Sequence, residues 1–482
     1  MEGIQTTELS EPLKAGSSRA KLFALVSFIL SLSFYFGSVL SMPFARTNLL
    51  DLGPYPDAVE YFAQANSLVR EGRPTLQIGY DRLPSRYPPG YPILMIPWLK
   101  AFPQSAIFAP FRTNQAIGLL LLVGSFGLYL AIGRPLAAGW ASLLLTTQPA
   151  FVTFSRSSMS DLSAGAVTIL SFALVYLGYR WLRRWPVYTA AIVLGLSVCI
   201  RSQLLFLAPL FIVMAFFPAG DSRARWLVHC VLIVFTFSLS ASPYLILNAL
   251  QFGHPLKTGY EFWVPTFMGQ QLPFAFGNVP RQSAMLFSEL TATWQQYRVA
   301  NMFGTGTYVA PLFALLALTG ILFVRWGGFA ISAFLATGSF LLATVTFSFA
   351  DVRLYLPALF LSIGLAVLPA EWALEKILRA RFSFPAVGLL ILAVLSCLGY
   401  PSQSGYPPKS GRVQAWDALK ERKGHGKSVL FATQEEFMKC FRGSPGIVLS
   451  DIDPAYLNAL WPQNFVAAPL DAEHHYRYSK RW

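Results

Sequence analysis

Residues 22–45 read LFALVSFILSLSFYFGSVLSMPFA, twenty-four consecutive positions without Asp, Glu, Lys or Arg, flanked by Lys21 and Arg46. A helix needs roughly 17–25 residues to cross a hydrocarbon core, and it satisfies its own backbone polar groups where lipid offers no partner. The stretch therefore predicts a membrane-spanning helix. It exceeds the ~7–15-residue apolar region of a cleaved leader and further runs follow it, so it is expected to be retained.

Ten more uncharged runs lie between charged residues 112 and 134, 134 and 156, 161 and 180, 184 and 201, 201 and 221, 225 and 257, 298 and 325, 325 and 351, 353 and 371, and 381 and 409. The whole chain is 54% hydrophobic and 12% charged over 482 residues, about half the charged share of a soluble domain. The pattern predicts an all-α polytopic membrane protein of about eleven transmembrane helices. Placing the amino terminus in the cytoplasm gathers 13 of the 37 basic residues in short cytoplasmic segments, among them Lys21, Arg134, Arg184, Arg225, Arg325 and Lys376. That density follows the positive-inside rule.

The expected domains are then a cytoplasmic tail (1–21), a transmembrane part (22–400) and a small extracytoplasmic α/β unit (401–482). Loops 43–112 and 250–305 face outward. In the tail, 428–432, 446–450 and 465–468 read as strands, and Asp453-Pro454 opens a helix through Leu460. The net charge of +14 is accounted for by orientation signals and affinity for anionic lipid. No recognition motif suggests a nucleic-acid partner. Cys199, Cys230 and Cys397 fall in membrane runs and Cys440 stands alone, so neither a disulfide framework nor a metal cluster is visible. The His474-His475 pair has no partner ligands at metal spacing.

Chemistry is expected in the first outer loop. Pro56 suits the first position of a helix that ends before Gly72, and Val59, Phe62 and Val69 mark an apolar face that predicts a helix lying on the membrane surface. Asp57 falls in its first turn, where the helix dipole favours an ionised carboxylate, and Tyr61 follows one turn later. An aspartate there serves either as a helix-start residue or as a general base, and on the pattern alone the two are even. Ser85-Arg86-Tyr87-Pro88-Pro89-Gly90-Tyr91-Pro92 then leads into an apolar segment, 93–102, too short to span and read as a second interfacial helix.

The Asp-x-x-x-Tyr helix after the first span, followed by Tyr-Pro-Pro-x-Tyr-Pro, resembles the first outer loop of the GT-C glycosyltransferases. Within them it is most similar to the bacterial group of the lipid A aminoarabinose transferase and, more distantly, to the protein O-mannosyltransferases. Ser155-Arg156-Ser157-Ser158-Met159-Ser160-Asp161, Arg201-Ser-Gln-Leu-Leu and Asp351-Val-Arg353-Leu-Tyr355-Leu-Pro357 also resemble family segments. The chain departs from the aminoarabinose enzyme in carrying Glu60 where that enzyme has arginine, and Arg86-Tyr87 where it has a lysine before the proline pair. It lacks the adjacent Asp-Glu of the mannosyltransferases and a Trp-Trp-Asp motif, and its tail is shorter than an oligosaccharyltransferase's.

The resemblance implies a GT-C fold with interfacial helices in the first outer loop, multi-pass in a bacterial inner membrane, with the active site and carboxy terminus periplasmic and a role in cell-envelope or lipopolysaccharide assembly. It implies a polyprenyl-phosphate-linked sugar donor, a lipid, glycan or protein acceptor, and inverting transfer of one sugar with Asp57 as general base. Asp161 is the second catalytic acidic residue, expected to orient the acceptor or the sugar or to assist a metal, with a helix-start role before Leu162 as the even alternative. Arg86, Arg201, Arg353 and Tyr355 are expected at the donor phosphate, and Tyr61, Tyr87, Arg156, His254 and Lys257 at the substrates. No ligand set in the sequence demands a cofactor; a divalent metal is used by some relatives. The competing readings are a flippase of lipid-linked substrates and a surface-glycan ligase or polymerase. Spans nearly free of ionisable residues argue against a transporter, whose buried charges gather near the midplane.

Overall fold

The structure, a computed structural model, describes residues 18–41, 56–78, 81–131, 133–210, 214, 223–259, 275–291, 311–322, 328–347, 352–379, 446–450 and 465–469. The first membrane helix, α1 (Ser18–Tyr35), runs into a π-helical turn at Phe36–Leu40. The first outer loop folds as α2 (Pro56–Glu71), an antiparallel hairpin of β1 (Thr75–Ile78) and β2 (Asp81–Pro84), and α3 (Gly90–Ala101). The bundle continues with α4 (Ala109–Ala131), α5 (Pro135–Thr146), α6 (Pro149–Ser155), α7 (Asp161–Trp181), α8 (Trp185–Ser197) and α9 (Arg223–Phe252). After it come α10 (Val279–Thr291), α11 (Pro311–Leu322), α12 (Gly328–Val345) and α13 (Leu356–Arg379).

Among the described residues, five helices are long and apolar enough to cross a membrane on their own: α1 with its π turn, α4, α7, α9 and α13. The chain is a mainly helical, multi-pass membrane protein, as its uncharged runs predict. Among the described residues, several runs depart from a continuous helix. The stretch expected across 134–156 breaks at Thr147 and Gln148 into α5 and α6, because Pro149 has no N–H to give the preceding turn and pushes Gln148 out of the helical region. The run after Arg201 opens as a 3-10 turn, Ser202–Leu207, and the one after Asp351 as another, Val352–Tyr355.

Two cores hold the bundle. In one, Tyr35, Leu122, Ala138, Leu145, Phe151 and Phe360 join α1, α4, α5, α6 and α13. In the other, Ala190, Leu194, Leu204, Phe340 and Ala358 join α8, the 3-10 turn after it, α12 and α13. Small residues at these contacts let helix backbones approach, which is how helices associate where lipid is as apolar as the side chains. The outer faces stay apolar and exposed, as at Leu25 and Ile29 of α1 and Val231 and Phe235 of α9.

Contacts of Gln115 with Val39, Asn114 with Ser157, Arg201 with Asp161 and Arg353 with Asp57 bring these residues to one end of the bundle. At the opposite end Arg134 pairs with Glu371, joining the start of α5 to α13.

In the tail, β3 (Gly446–Ser450) pairs in parallel with β4 (Phe465–Pro469), Gly446 opposite Phe465. Both strands fall where the sequence puts them, and the parallel pairing suits a crossover between them. The expected strand at 428–432, helix at 453–460, last span (381–409) and amino-terminal tail (1–17) lie outside the described residues, as do Asp51, Asp351 and 260–274 of the second outer loop.

Candidate active site

Helix α2 forms the base of the site. It starts at Pro56, ends at Glu71, and Gly72 follows in the left-handed region at φ 68°. Asp57, Glu60, Tyr61 and Gln64 stand three and four residues apart and so share one face. All four are buried, 1–6% exposed. The first two turns of this helix are enclosed by protein, with Ala58, Phe62 and Ala65 buried as well. The segment from Ser85 to Gly90 and helix α3 close over them, and Val69 near the far end is exposed.

A buried polar face needs partners. Asp57 accepts from the Tyr87 hydroxyl on Oδ1 at 2.6 Å and from Arg353 Nη1 on Oδ2 at 2.8 Å. Glu60 accepts from Arg86 Nε on Oε1 at 2.5 Å, and Arg86 Nη2 bridges to the same oxygen. Its Oε2 takes the Ser85 hydroxyl at 3.2 Å and the Arg86 amide at 3.3 Å. The Tyr61 and Ser160 hydroxyls lie 2.9 Å apart, and Gln64 Nε2 donates to the Tyr87 carbonyl at 3.3 Å. The Tyr61 ring packs against Tyr87, centroids 4.9 Å apart, and edge-on against Tyr91 at 5.1 Å.

The second carboxylate lies at the start of α7. Asp161 is fully buried and pairs through Oδ1 with Arg201. Its Oδ2 has no hydrogen-bond partner among the described residues. Asn114 of α4 holds the turn before it by donating to the Ser157 and Met159 carbonyls, both at 2.8 Å. Gly90 ties the first loop to the segment carrying Arg201: its N–H donates to the Cys199 carbonyl at 2.7 Å. A Cβ at Gly90 would lie 2.5 Å from that oxygen, so only glycine permits the approach. From the second outer loop, Gly259 abuts Ser85 and Arg86 as closely.

Asp57, Glu60 and Asp161 thus face Arg86, Arg201 and Arg353 in three ion pairs at one end of the bundle. Burial opposes ionisation of Asp57. The Arg353 charge, the Tyr87 hydroxyl and the Arg86 charge outweigh it and hold the carboxyl below the usual carboxylate range. It is therefore an anion at neutral pH, kept charged in a place where an unpaired carboxylate would not be.

The structure brings together Asp57, Tyr61, Arg86, Tyr87, Asp161, Arg201 and Arg353. Tyr355, on the same 3-10 turn as Arg353, is bound elsewhere: its hydroxyl donates to Gln282 of α10 at 2.8 Å. Arg156 is half-buried on the turn that leads to Asp161, and His254 and Lys257 are exposed at the start of the second loop. No three His, Cys, Asp or Glu side chains gather as a metal site among the described residues. The counter-charge of Asp57 and of Asp161 comes from arginine. Ser85, Gln64, Asn114 and Gln282 escape sequence reasoning. A polar stripe at helical spacing, 57-60-61-64, was the available sign for Gln64.

No family model matches the chain, and no curated protein matches it. Solved structures share its fold. The oligosaccharyltransferase of Archaeoglobus fulgidus in the apo form superposes with a TM-score of 0.58 at 14% identity, over 95% of this chain and 66% of that one. The same enzyme, AglB, in complex with an inhibitory peptide and a dolichol-phosphate gives 0.58 at 14%, over 95% and 65%. ArnT from Cupriavidus metallidurans in the apo state gives 0.53 at 16%, over 83% and 69%. The chain spans just under two thirds of the length of the oligosaccharyltransferase. Identities this low speak to the fold alone: the chain shares the membrane fold of these oligosaccharyltransferase and ArnT structures.

Proposed function

We propose that the protein is a membrane glycosyltransferase that moves one sugar from a polyprenyl-phosphate donor to an acceptor hydroxyl on the extracytoplasmic face. The observation that carries this reading is the buried Asp57 carboxylate, held ionised by Arg353 and Tyr87, beside a second carboxylate–arginine pair. The fold it occurs in is shared with an oligosaccharyltransferase structure holding a dolichol-phosphate. The basic loops at the opposite end support the outward orientation. The transmembrane part, 22–400, carries the site in this reading, and 401–482 is a separate extracytoplasmic unit.

In the reaction, Asp57 takes the proton of the acceptor hydroxyl. The acceptor oxygen attacks the anomeric carbon as the bond from that carbon to the phosphate oxygen breaks, inverting the configuration. The electron pair leaves with the polyprenyl phosphate. Arg353 and Arg201, 8% and 14% exposed at the side chain or residue, supply fixed positive charge for that leaving group where the low dielectric makes it most effective. The free oxygen of Asp161 accepts a hydroxyl of the sugar or the acceptor. Tyr61 lines the same face, and Arg156, His254 and Lys257 extend it toward the second loop.

The test is a mass spectrum of the lipid and surface-glycan fractions from cells lacking the protein, complemented with wild type or Asp57→Asn. A product lighter by one sugar residue, restored by wild type alone, is expected. A lipid-linked precursor that accumulates with no lightened product, in both complemented strains or in neither, would make transport the better account.

A further inference from the structure

We propose that Glu60 and Arg86 form a positioning clamp that sets the Tyr87 hydroxyl on Asp57, and that Arg86 is not a ligand of the donor phosphate. The proposal rests on the glycosyltransferase reading and assigns Arg86 a different task within that site.

The Glu60 carboxylate encloses the Ser85-Arg86 segment. One oxygen takes the Arg86 guanidinium through both Nε and Nη2, and the other takes the Ser85 hydroxyl and the Arg86 amide. The Glu60 side chain is 1% exposed and that of Arg86 14%, so the Nε–Nη2 edge of the guanidinium is held against the helix. The neighbouring bonds hold Tyr87 at both ends of its backbone: its N–H donates to Ser85 Oγ at 3.1 Å and its carbonyl accepts from Gln64. Pro88 and Pro89 follow, each with φ fixed by its ring. What is left for Tyr87 to direct is its hydroxyl, and that donates to Asp57 at 2.6 Å.

All of these bonds start from one face of α2. Asp57 receives the Tyr87 hydroxyl, and Glu60 and Gln64, one and two turns on, fix the strand that delivers it. Tyr61 packs against the Tyr87 ring between them. A charge pair in this place aims a hydrogen bond at the base, and Gly259 of the second loop presses on the same Ser85-Arg86 backbone from the other side.

The experiment uses the purified full chain in lipid nanodiscs. Glu60→Gln, Arg86→Gln, Tyr87→Phe, the Glu60→Gln/Arg86→Gln pair and Glu60→Gln/Tyr87→Phe are compared for kcat, KM, thermal stability and binding of an undecaprenyl monophosphate probe. The clamp predicts that either single change lowers kcat about ten- to a hundred-fold, the range for losing a hydrogen bond to a charged group, with probe affinity within about two-fold of wild type. The Gln/Gln pair is no worse than either single variant, since it leaves no buried charge unpaired. Glu60→Gln/Tyr87→Phe loses no more kcat than Tyr87→Phe alone. A merely structural pair would lower stability without that last non-additivity, and this overturns the proposal. So does an Arg86→Gln that weakens the probe ten-fold or more while Glu60→Gln does not, which is the signature of a phosphate ligand. If wild type transfers no sugar at all, the glycosyltransferase reading fails separately. The clamp is then decided by the stability cycle between Glu60→Gln and Tyr87→Phe together with probe binding: non-additive losses with unchanged binding support it, and additive losses or lost binding refute it.

Discussion

Replacing Arg353 with glutamine tests the electrostatics of the site most directly. Arg353 and Asp57 are 8% and 6% exposed and meet at 2.8 Å. Removing one partner of such a buried pair typically costs about 3–5 kcal/mol, because the other charge is left behind. The burial that opposes ionisation of Asp57 stays in place while the first of the influences that overcome it disappears. Two results are expected from a rate–pH profile of the purified protein with a polyprenyl-phosphate sugar. The acid limb, which in wild type lies below the usual carboxylate range, moves upward, and the plateau falls by roughly 10²–10³, the usual loss for one preorganised donor at a developing charge. Stability follows with a definite sign. In wild type the lowered Asp57 pKa adds stability above the ordinary carboxylate range, and that share is lost as pH falls through the lowered value. In Arg353→Gln the buried anion is a burden at neutral pH, so the gap in thermal stability between the two proteins narrows on acidification. Arg353→Lys keeps the charge and loses the planar fork, so its acid limb stays close to wild type. A glutamine variant with an unmoved acid limb and wild-type rate would refute the argument, because it would mean that Asp57 depends on Arg353 for neither its charge nor its reaction.

Other outcomes follow from the same contacts. Tyr87→Phe removes a donor to the carboxylate and should lower kcat about ten- to a hundred-fold, with its acid limb displaced upward less than in Arg353→Gln; an unchanged kcat would remove Tyr87 from the site. Gly90→Ala puts a methyl group 2.5 Å from the Cys199 carbonyl, and overpacking of this kind costs about 1–3 kcal/mol. It should lower thermal stability and loosen the first loop from the Arg201 segment, seen as faster amide exchange over 85–92, and wild-type exchange there would contradict the contact.

Much of the bundle was legible because burial in lipid imposes a one-dimensional rule, no charge over a span's length, which α1, α4, α7, α9 and α13 obey. The bounds of α2 were legible from Pro56 and Gly72, and β3 and β4 from short apolar runs between turn residues. The break before Pro149 was not read, since an uncharged run hides a helix end unless proline is weighed against it. Nor was the hairpin after α2, whose strands are four residues each. In the site, Asp57, Asp161, Arg201 and Arg353 carried enough local context to be named. Their pairings did not, because Asp57 meets Arg353 across 296 positions and Tyr355 meets Gln282 across 73. A sequence shows which groups are too polar to be buried alone and leaves to the fold which of them end up together. The burial of Glu60 and Gln64 was not legible for a related reason: Ser85 to Tyr87, twenty-odd residues on, supplies their partners.

The separation of Asp57 from Arg353 also dictates an order of assembly during synthesis. A ribosome adding roughly 5–20 residues per second delivers Arg353 about 15–60 s after Asp57, given the 296 residues between them. For all of that time Asp57 lacks its counter-charge from the bundle. Asp161 waits far less, since Arg201 follows forty residues later. The inner half of the site can therefore close as the nascent chain emerges. The half containing Asp57 stays without its arginine until the 3-10 turn at Val352–Tyr355 arrives, in the last third of translation.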